Sequence, residues 1–109
     1  MRHFWREHYL DSTTVYLMVG INIHNPGPYE EYVRQAMVSL EKYKVEVLAV
    51  CDTPIAQEGT NPFGRYVLLK FADQAAFDAW YRSPEYQAAI PIRHAAAETG
   101  FFVTVDGLS

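Results

Sequence analysis

The sequence predicts an α+β fold in the order βαββαβ, with a four-stranded antiparallel sheet that carries its helices on one face. Three observations lead there. Residues 15–24 alternate in period two, the mark of a strand. Asn25-Pro26 and Ser83-Pro84 each set a capping residue before a proline, a signature of helix starts. A segment holding Pro54, Gly59, Pro62 and Gly64 separates two short apolar runs, as a loop between neighbouring strands would.

In the first strand, Val15, Leu17, Val19, Ile21 and Ile23 form one side-chain set, and Tyr16, Met18, Gly20, Asn22 and His24 form the other. Asn25 is the expected cap of a helix over residues 28–42. Its inward stripe is Tyr29, Tyr32, Val33, Ala36, Met37 and Leu40, at spacings of three and four. Residues 45–51 read as the second strand and residues 65–71 as the third. Asp73 caps a helix running through Ala76, Phe77 and Trp80. A further helical segment spans residues 84–98, with Ser83 as cap, Pro84 at its first position and Pro91 kinking it from inside. Gly100 ends that segment, and residues 101–105 form the last strand. Short connections and right-handed crossovers close this order as a ferredoxin-like split βαβ unit.

The chain has 109 residues, half of them hydrophobic and 15% aromatic, enough for one globular core. Residues 1–13 read as a polar and aromatic extension, and residues 14–109 as one domain. A net charge of −4, from 9 basic and 13 acidic residues, opposes a nucleic-acid or anionic-membrane partner. No apolar run approaches the roughly 20 residues of a membrane span. The first seven residues lack a signal-peptide core, so the expected location is cytoplasmic. Cys51 is the lone cysteine and reads as a small buried side chain.

Both side-chain sets of the first strand contain apolar groups. A sheet that is apolar on both sides must be covered on both. The helices cover one, so a second copy of the chain is expected over the other, giving a dimeric α+β barrel.

The stretch Trp80-Tyr81-x-Ser83-Pro84-x-Tyr86-Gln87, preceded by Asn25-Pro26 with Tyr29 and Tyr32 and by Glu58-Gly59, and followed by Arg93, resembles the bacterial family called domain of unknown function thirteen-thirty. The resemblance runs over about residues 14–107 in unbroken order. The family belongs to the dimeric α+β barrel superfamily. The resemblance therefore implies that fold and a homodimer, and no particular reaction. The chain departs from the family at Lys44-Val45, where a Gly-Gly pair is usual, at Asn25 in place of Asp, at Pro91, and in residues 1–13.

His24, at a strand end, is a candidate general base, or else a helix-entry histidine bonded to backbone. Tyr16, Met18 and Asn22 share its side-chain set and are expected ligand contacts. Glu58 either orients a substrate or acts as an acid, or pins the long loop by pairing with Arg65 or Arg93. Tyr86 and Arg93 stand seven apart, two turns of one helical face, and Arg93 can bind a carboxylate or phenolate. Of the neighbours Trp80 and Tyr81, one belongs to the core and the other can face a ligand, with Tyr81 the expected hydroxyl donor. Ser83 reads as a cap rather than a nucleophile, since no His-Asp arrangement accompanies it.

His94 and Glu98, like His3 and Glu7, are spaced as helical pairs, but no third ligand falls in register, so no metal is expected. No glycine-rich phosphate loop is present, and no cofactor is expected. The expected catalytic set is thus His24, Glu58, Arg93 and Tyr81. Arg65, Trp80, Ser83 and Tyr86 join Tyr16, Met18 and Asn22 as ligand contacts. The superfamily resembled includes cofactor-free oxygenases, isomerases and cyclases of secondary metabolism. By analogy with it, the expected function is that of a cofactor-independent enzyme of isomerase, cyclase, lyase or oxygenase type, acting by acid–base chemistry on an apolar or aromatic metabolite. The alternative is a non-catalytic ligand-binding or stress-related module.

Overall fold

The computed structural model describes residues 13–108. Its elements run β1 (Val15–Ile23), α1 (Pro26–Lys42), β2 (Glu46–Cys51), β3 (Arg65–Phe71), α2 (Gln74–Tyr81), α3 (Pro84–Ala96) and β4 (Ala97–Asp106). The four strands form one antiparallel sheet in the order β2-β3-β1-β4, the ferredoxin-like arrangement the element order implied. The expected aromatic extension, including Phe4, Trp5 and Tyr9 and the His3–Glu7 pair, lies outside the described residues.

The period-two reading of β1 assigns its faces. Val15, Leu17, Val19 and Ile21 are buried under the helices with Leu69, Phe71, Tyr29, Ala36 and Leu40. The opposite set comes to the open face. There Met18 is 39% exposed, opposite Leu68 on β3 and Val103 on β4. Val105 is also exposed on that face, across from Tyr16. Cys51, opposite Tyr66, is only half-buried rather than a core residue, because it too faces this way. Phe63 lies over one end of the same face, edge-on to Phe101 and Tyr66.

The local caps form as their residue types require. The Asp73 carboxylate accepts from Ala76 N at 2.8 Å. The Ser83 hydroxyl accepts from Tyr86 N at 3.1 Å and donates to the Trp80 carbonyl at 2.6 Å, locking α2 to α3 at the corner. Asn25 occupies the cap position of α1 but its side chain makes no capping bond. The helix begins two residues earlier than expected, at Pro26, whose missing N–H belongs to a position with no helical partner anyway. At the far end Val45 N bonds to Leu40 O and Lys44 N to Glu41 O, a Schellman ending with Lys44 at φ 56°. The turn that glycine usually makes is thus kept, with a lysine in the left-handed region.

Two expectations at the C-terminal end need correction. Helix α3 stops at Ala96, and β4 starts at once from Ala97 instead of at residue 101. The reason is register. The end of β1 offers Ile21, Asn22 and Ile23 as partners for Thr99, Glu98 and Ala97, and the ladder bonds formed there outcompete another helical turn. Gly100 falls at the irregularity between Gly20 and Ile21, inside the strand, so it is a bulge residue and not a helix stop. A Cβ on Gly100 would lie 1.9 Å from the Phe63 ring. As Glu98 is in a strand, it shares no helical face with His94.

Candidate functional site

Helix α1 does not close fully onto the sheet. Between them lies an apolar cavity of about 110 Å³. Leu17, Val19, Val67 and Leu69 form its floor, Tyr29, Tyr32, Val33, Ala36 and Leu40 its roof, and Trp80, Tyr86, Arg93 and Phe102 its inner end. Met37, Val47 and Val50, which are 50%, 39% and 54% exposed, line the same space where α1 meets the edge strand β2, and mark its mouth.

The polar groups gather at the inner end. The hydroxyls of Tyr32 and Tyr86 are 2.7 Å apart in a hydrogen bond bridging α1 and α3. Burial pushes the Tyr32 phenol well above its ordinary pKa, with Tyr86 adding to the shift, and burial raises Tyr86 against the opposing charge of Arg93. Arg93 is 4% exposed. Its guanidinium carbon sits 4.8 Å from the Phe102 ring centre and 5.8 Å from that of Tyr32. Its Nη1 donates to Thr99 Oγ1 at 2.6 Å, while Nε is buried with no partner among the described residues.

Arg65, at another edge of the cavity, is held differently. Its Nε and Nη2 donate to the two Asp52 carboxylate oxygens at 2.5 and 2.9 Å, and its guanidinium lies 5.6 Å from the Tyr29 ring centre. The Asp52 carboxyl is held below its ordinary pKa by the bond from Arg65.

The structure brings only part of the expected set together. Arg93, Tyr86, Trp80 and Arg65 line the cavity. Pro91 does not spoil the Tyr86–Arg93 phase: α3 is continuous across it, and both side chains point inward, because Pro91 sits on the exposed side. His24, Glu58 and Arg93 do not converge. His24 is exposed just beyond β1, its backbone N–H bonded to Ala96 O. Glu58 is exposed in the loop over residues 52–64, and the partners proposed for it are engaged elsewhere, Arg65 with Asp52 and Arg93 with Thr99.

Tyr16 and Met18 belong to the open sheet face, across the sheet from the cavity. Asn22 spans the loop end, donating to Pro62 O and accepting from Gly64 N. Ser83 is buried as the cap. Trp80 reaches the cavity while Tyr81 stacks on Phe77 outside its lining.

Phe102, Thr99 and Ser39 are not singled out in the sequence reading, and Tyr32 enters it as part of a stripe and of the family-like pattern, not as a site residue. Ser39 Oγ accepts from Trp80 Nε1 at 3.0 Å and donates to Ala36 O, fully buried. A polar residue on the inward stripe of α1 was the available signal. Chemically the inner end can donate protons and hold negative charge. Among the described residues, no histidine, aspartate or glutamate lines it.

Residues 14–108 match the family described as domain of unknown function (DUF1330). No curated protein matches the chain. Among solved structures, a protein of unknown function from Rhodopseudomonas palustris superposes with a TM-score of 0.75 at 14% identity, covering 100% of this chain and 95% of that one. SnoaB, a cofactor-independent oxygenase from Streptomyces nogalater, gives 0.61 at 12% identity over 87% and 93% of the two chains. A dimeric ferredoxin-like protein of unknown function from Jannaschia sp. CCS1 gives 0.60 at 19% over 86% and 97%. At these identities the likeness is one of fold.

Proposed function

From a chain that belongs to the DUF1330 family, we propose a cytoplasmic homodimeric α+β barrel that binds an apolar or aromatic metabolite in the cavity between α1 and the sheet. The observation that carries this reading is the cavity itself: apolar walls, an accessible mouth, and a few polar groups gathered at one end, the general form of a small-molecule site. The free thiol of Cys51 suits a reducing compartment. The dimer is supported by the open sheet face, where Met18, Val103 and Val105 are exposed side by side. A like fold in a protein described as dimeric adds to that support. Residues 14–109 are the unit that would pair, and residues 1–13 an extension to it.

If the protein is an enzyme, its chemistry is that of proton donation and oxyanion stabilisation without a cofactor, of isomerase, cyclase, lyase or oxygenase type. Tyr32 and Tyr86 keep their protons through neutral pH and can donate to an oxygen on which charge develops, with Arg93 beside them. SnoaB lends precedent, being a cofactor-independent oxygenase on a similar fold. Among the described residues no base lines the cavity, and His24 stands outside it. The second reading, a non-catalytic binding module, is favoured by a cavity wall that holds no carboxylate or imidazole among the described residues.

Screening aromatic and alicyclic metabolites by ligand-observed NMR tests the binding reading. The control is Ala36→Phe, which would fill the cavity from α1. Hits lost in the variant support the cavity, and hits retained there contradict it. Sedimentation of the wild type against Met18→Lys/Val103→Lys tests the dimer: the wild type should sediment as two copies and the variant as one. A wild type that is monomeric at micromolar concentration refutes it.

A further inference from the structure

Arg93 is the anomaly of the interior. It is nine-tenths buried in an apolar cavity and makes no ion pair with any described residue, whereas Arg65, at the rim, has its own carboxylate in Asp52. A guanidinium carries its charge at every working pH, and a buried charge without a counter-ion opposes folding. The Phe102 and Tyr32 rings and the Thr99 hydroxyl offset part of that penalty, but none of them is an anion, and Nε is left over.

The tyrosine pair adds a second donor. Two hydroxyls joined by one hydrogen bond use one proton, so the acceptor of that bond keeps its own proton free. An unused N–H and an unused O–H therefore sit at the same end of the cavity, and the exposed apolar residues Met37, Val47 and Val50 sit at the other.

We propose that the cavity takes an organic monoanion, an aromatic or apolar carboxylate or phenolate, with its charged oxygen at the Arg93 guanidinium and the Tyr32–Tyr86 pair and its apolar body directed to the mouth between α1 and β2. This deepens the binding function proposed above and rests on it. The cavity volume of about 110 Å³ sets the scale of the buried part at about one ring, since a hydrophobic cavity of ~150 Å³ takes up benzene. A longer tail has room only beyond the mouth. Charge-assisted bonds from a guanidinium to a carboxylate are about twice as strong as neutral ones, and so the anion should be chosen over an uncharged isostere.

The test compares para-butylbenzoate with para-butylbenzamide by titration calorimetry. The wild type is expected to bind the acid at least about tenfold more tightly than the amide, the discrimination a charged hydrogen bond provides. Arg93→Met should abolish that gap, weakening the acid about tenfold more than the amide. Arg93→Lys, which keeps the charge and loses the fork, should retain part of it. Equal binding of acid and amide by the wild type overturns the anion assignment and leaves the cavity as a site for apolar ligands. A gap that survives in Arg93→Met also overturns it, since the preference would then arise elsewhere. Binding of neither compound refutes the anion assignment together with the reading it rests on. The wild-type comparison alone decides the matter should the variants fail to fold.

Discussion

Replacing Arg93 by methionine separates a side chain kept for a ligand from one kept for the fold. Methionine is of similar length, flexible and apolar, so it fills the same space without the charge. The substitution removes three favourable contacts: the charged bond to Thr99, worth about 1.5–3 kcal/mol, and two ring contacts worth about 0.5–2 kcal/mol each. It also removes two penalties, an N–H buried without a partner among the described residues at about 1–3 kcal/mol and a charge buried without a counter-ion among them at several kcal/mol. The two sides nearly cancel. Ligand-free Arg93→Met should therefore lie within about 2 kcal/mol of the wild type. An arginine acting as a strut in a satisfied buried network would lose about 3–5 kcal/mol on the same change. Urea unfolding followed by tryptophan fluorescence, at matched protein concentration because the proposed dimer couples stability to it, reads the difference. Destabilisation beyond about 3 kcal/mol would refute the argument and make Arg93 a structural residue.

Lys44→Gly should stabilise the protein by about 1 kcal/mol, because Lys44 holds the left-handed Schellman position at φ 56° that glycine occupies without strain; the shift in urea midpoint measures it. Ser39→Ala should cost about 1–3 kcal/mol by leaving Trp80 Nε1 buried without its acceptor. A double-mutant cycle with Trp80→Phe should then show a coupling of about 1 kcal/mol, and additive losses would contradict the bond. Raising the pH should weaken the fold. Burial raises the native pKa values of Tyr32 and Tyr86 above the ordinary 10.0, so their contribution is fully present below about pH 10 and is lost as pH climbs through the native values. Phenolate absorbance should show these two hydroxyls ionising only together with unfolding.

The parts of the fold legible in the sequence are those set by neighbours along the chain. Asp73 and Ser83-Pro84 act within three residues, and the alternation of β1 fixes which set meets the helices, so these elements stand where their residue types put them. The start of β4 was hidden because nothing local marks it: Ala97 to Thr99 become strand only because β1 is beside them. The site divides the same way. Tyr86 and Arg93 share one helix and their common face follows from spacing. That Tyr32 meets Tyr86 across 54 residues depends on how α1 packs on α3. His24, Glu58 and Arg93 lie apart for the same reason: each is plausible alone, but the register that leaves His24 beyond β1 and the loop that carries Glu58 outward are tertiary facts. Trp80 and Tyr81 show the limit most sharply. Adjacency on a helix says that one faces inward, and only the buried Ser39 acceptor explains why it is Trp80 that turns toward α1.

The most direct test follows the arginine Nε–H resonances by NMR while para-butylbenzoate is added. Arg93 Nε–H, without a partner among the described residues, should move toward the position of a hydrogen-bonded guanidinium and become protected from solvent exchange. Arg65 Nε–H, already bonded to Asp52, should stay where it is. A response confined to Arg65, or none at Arg93 under saturating ligand, would contradict an anion site at the inner end of this cavity.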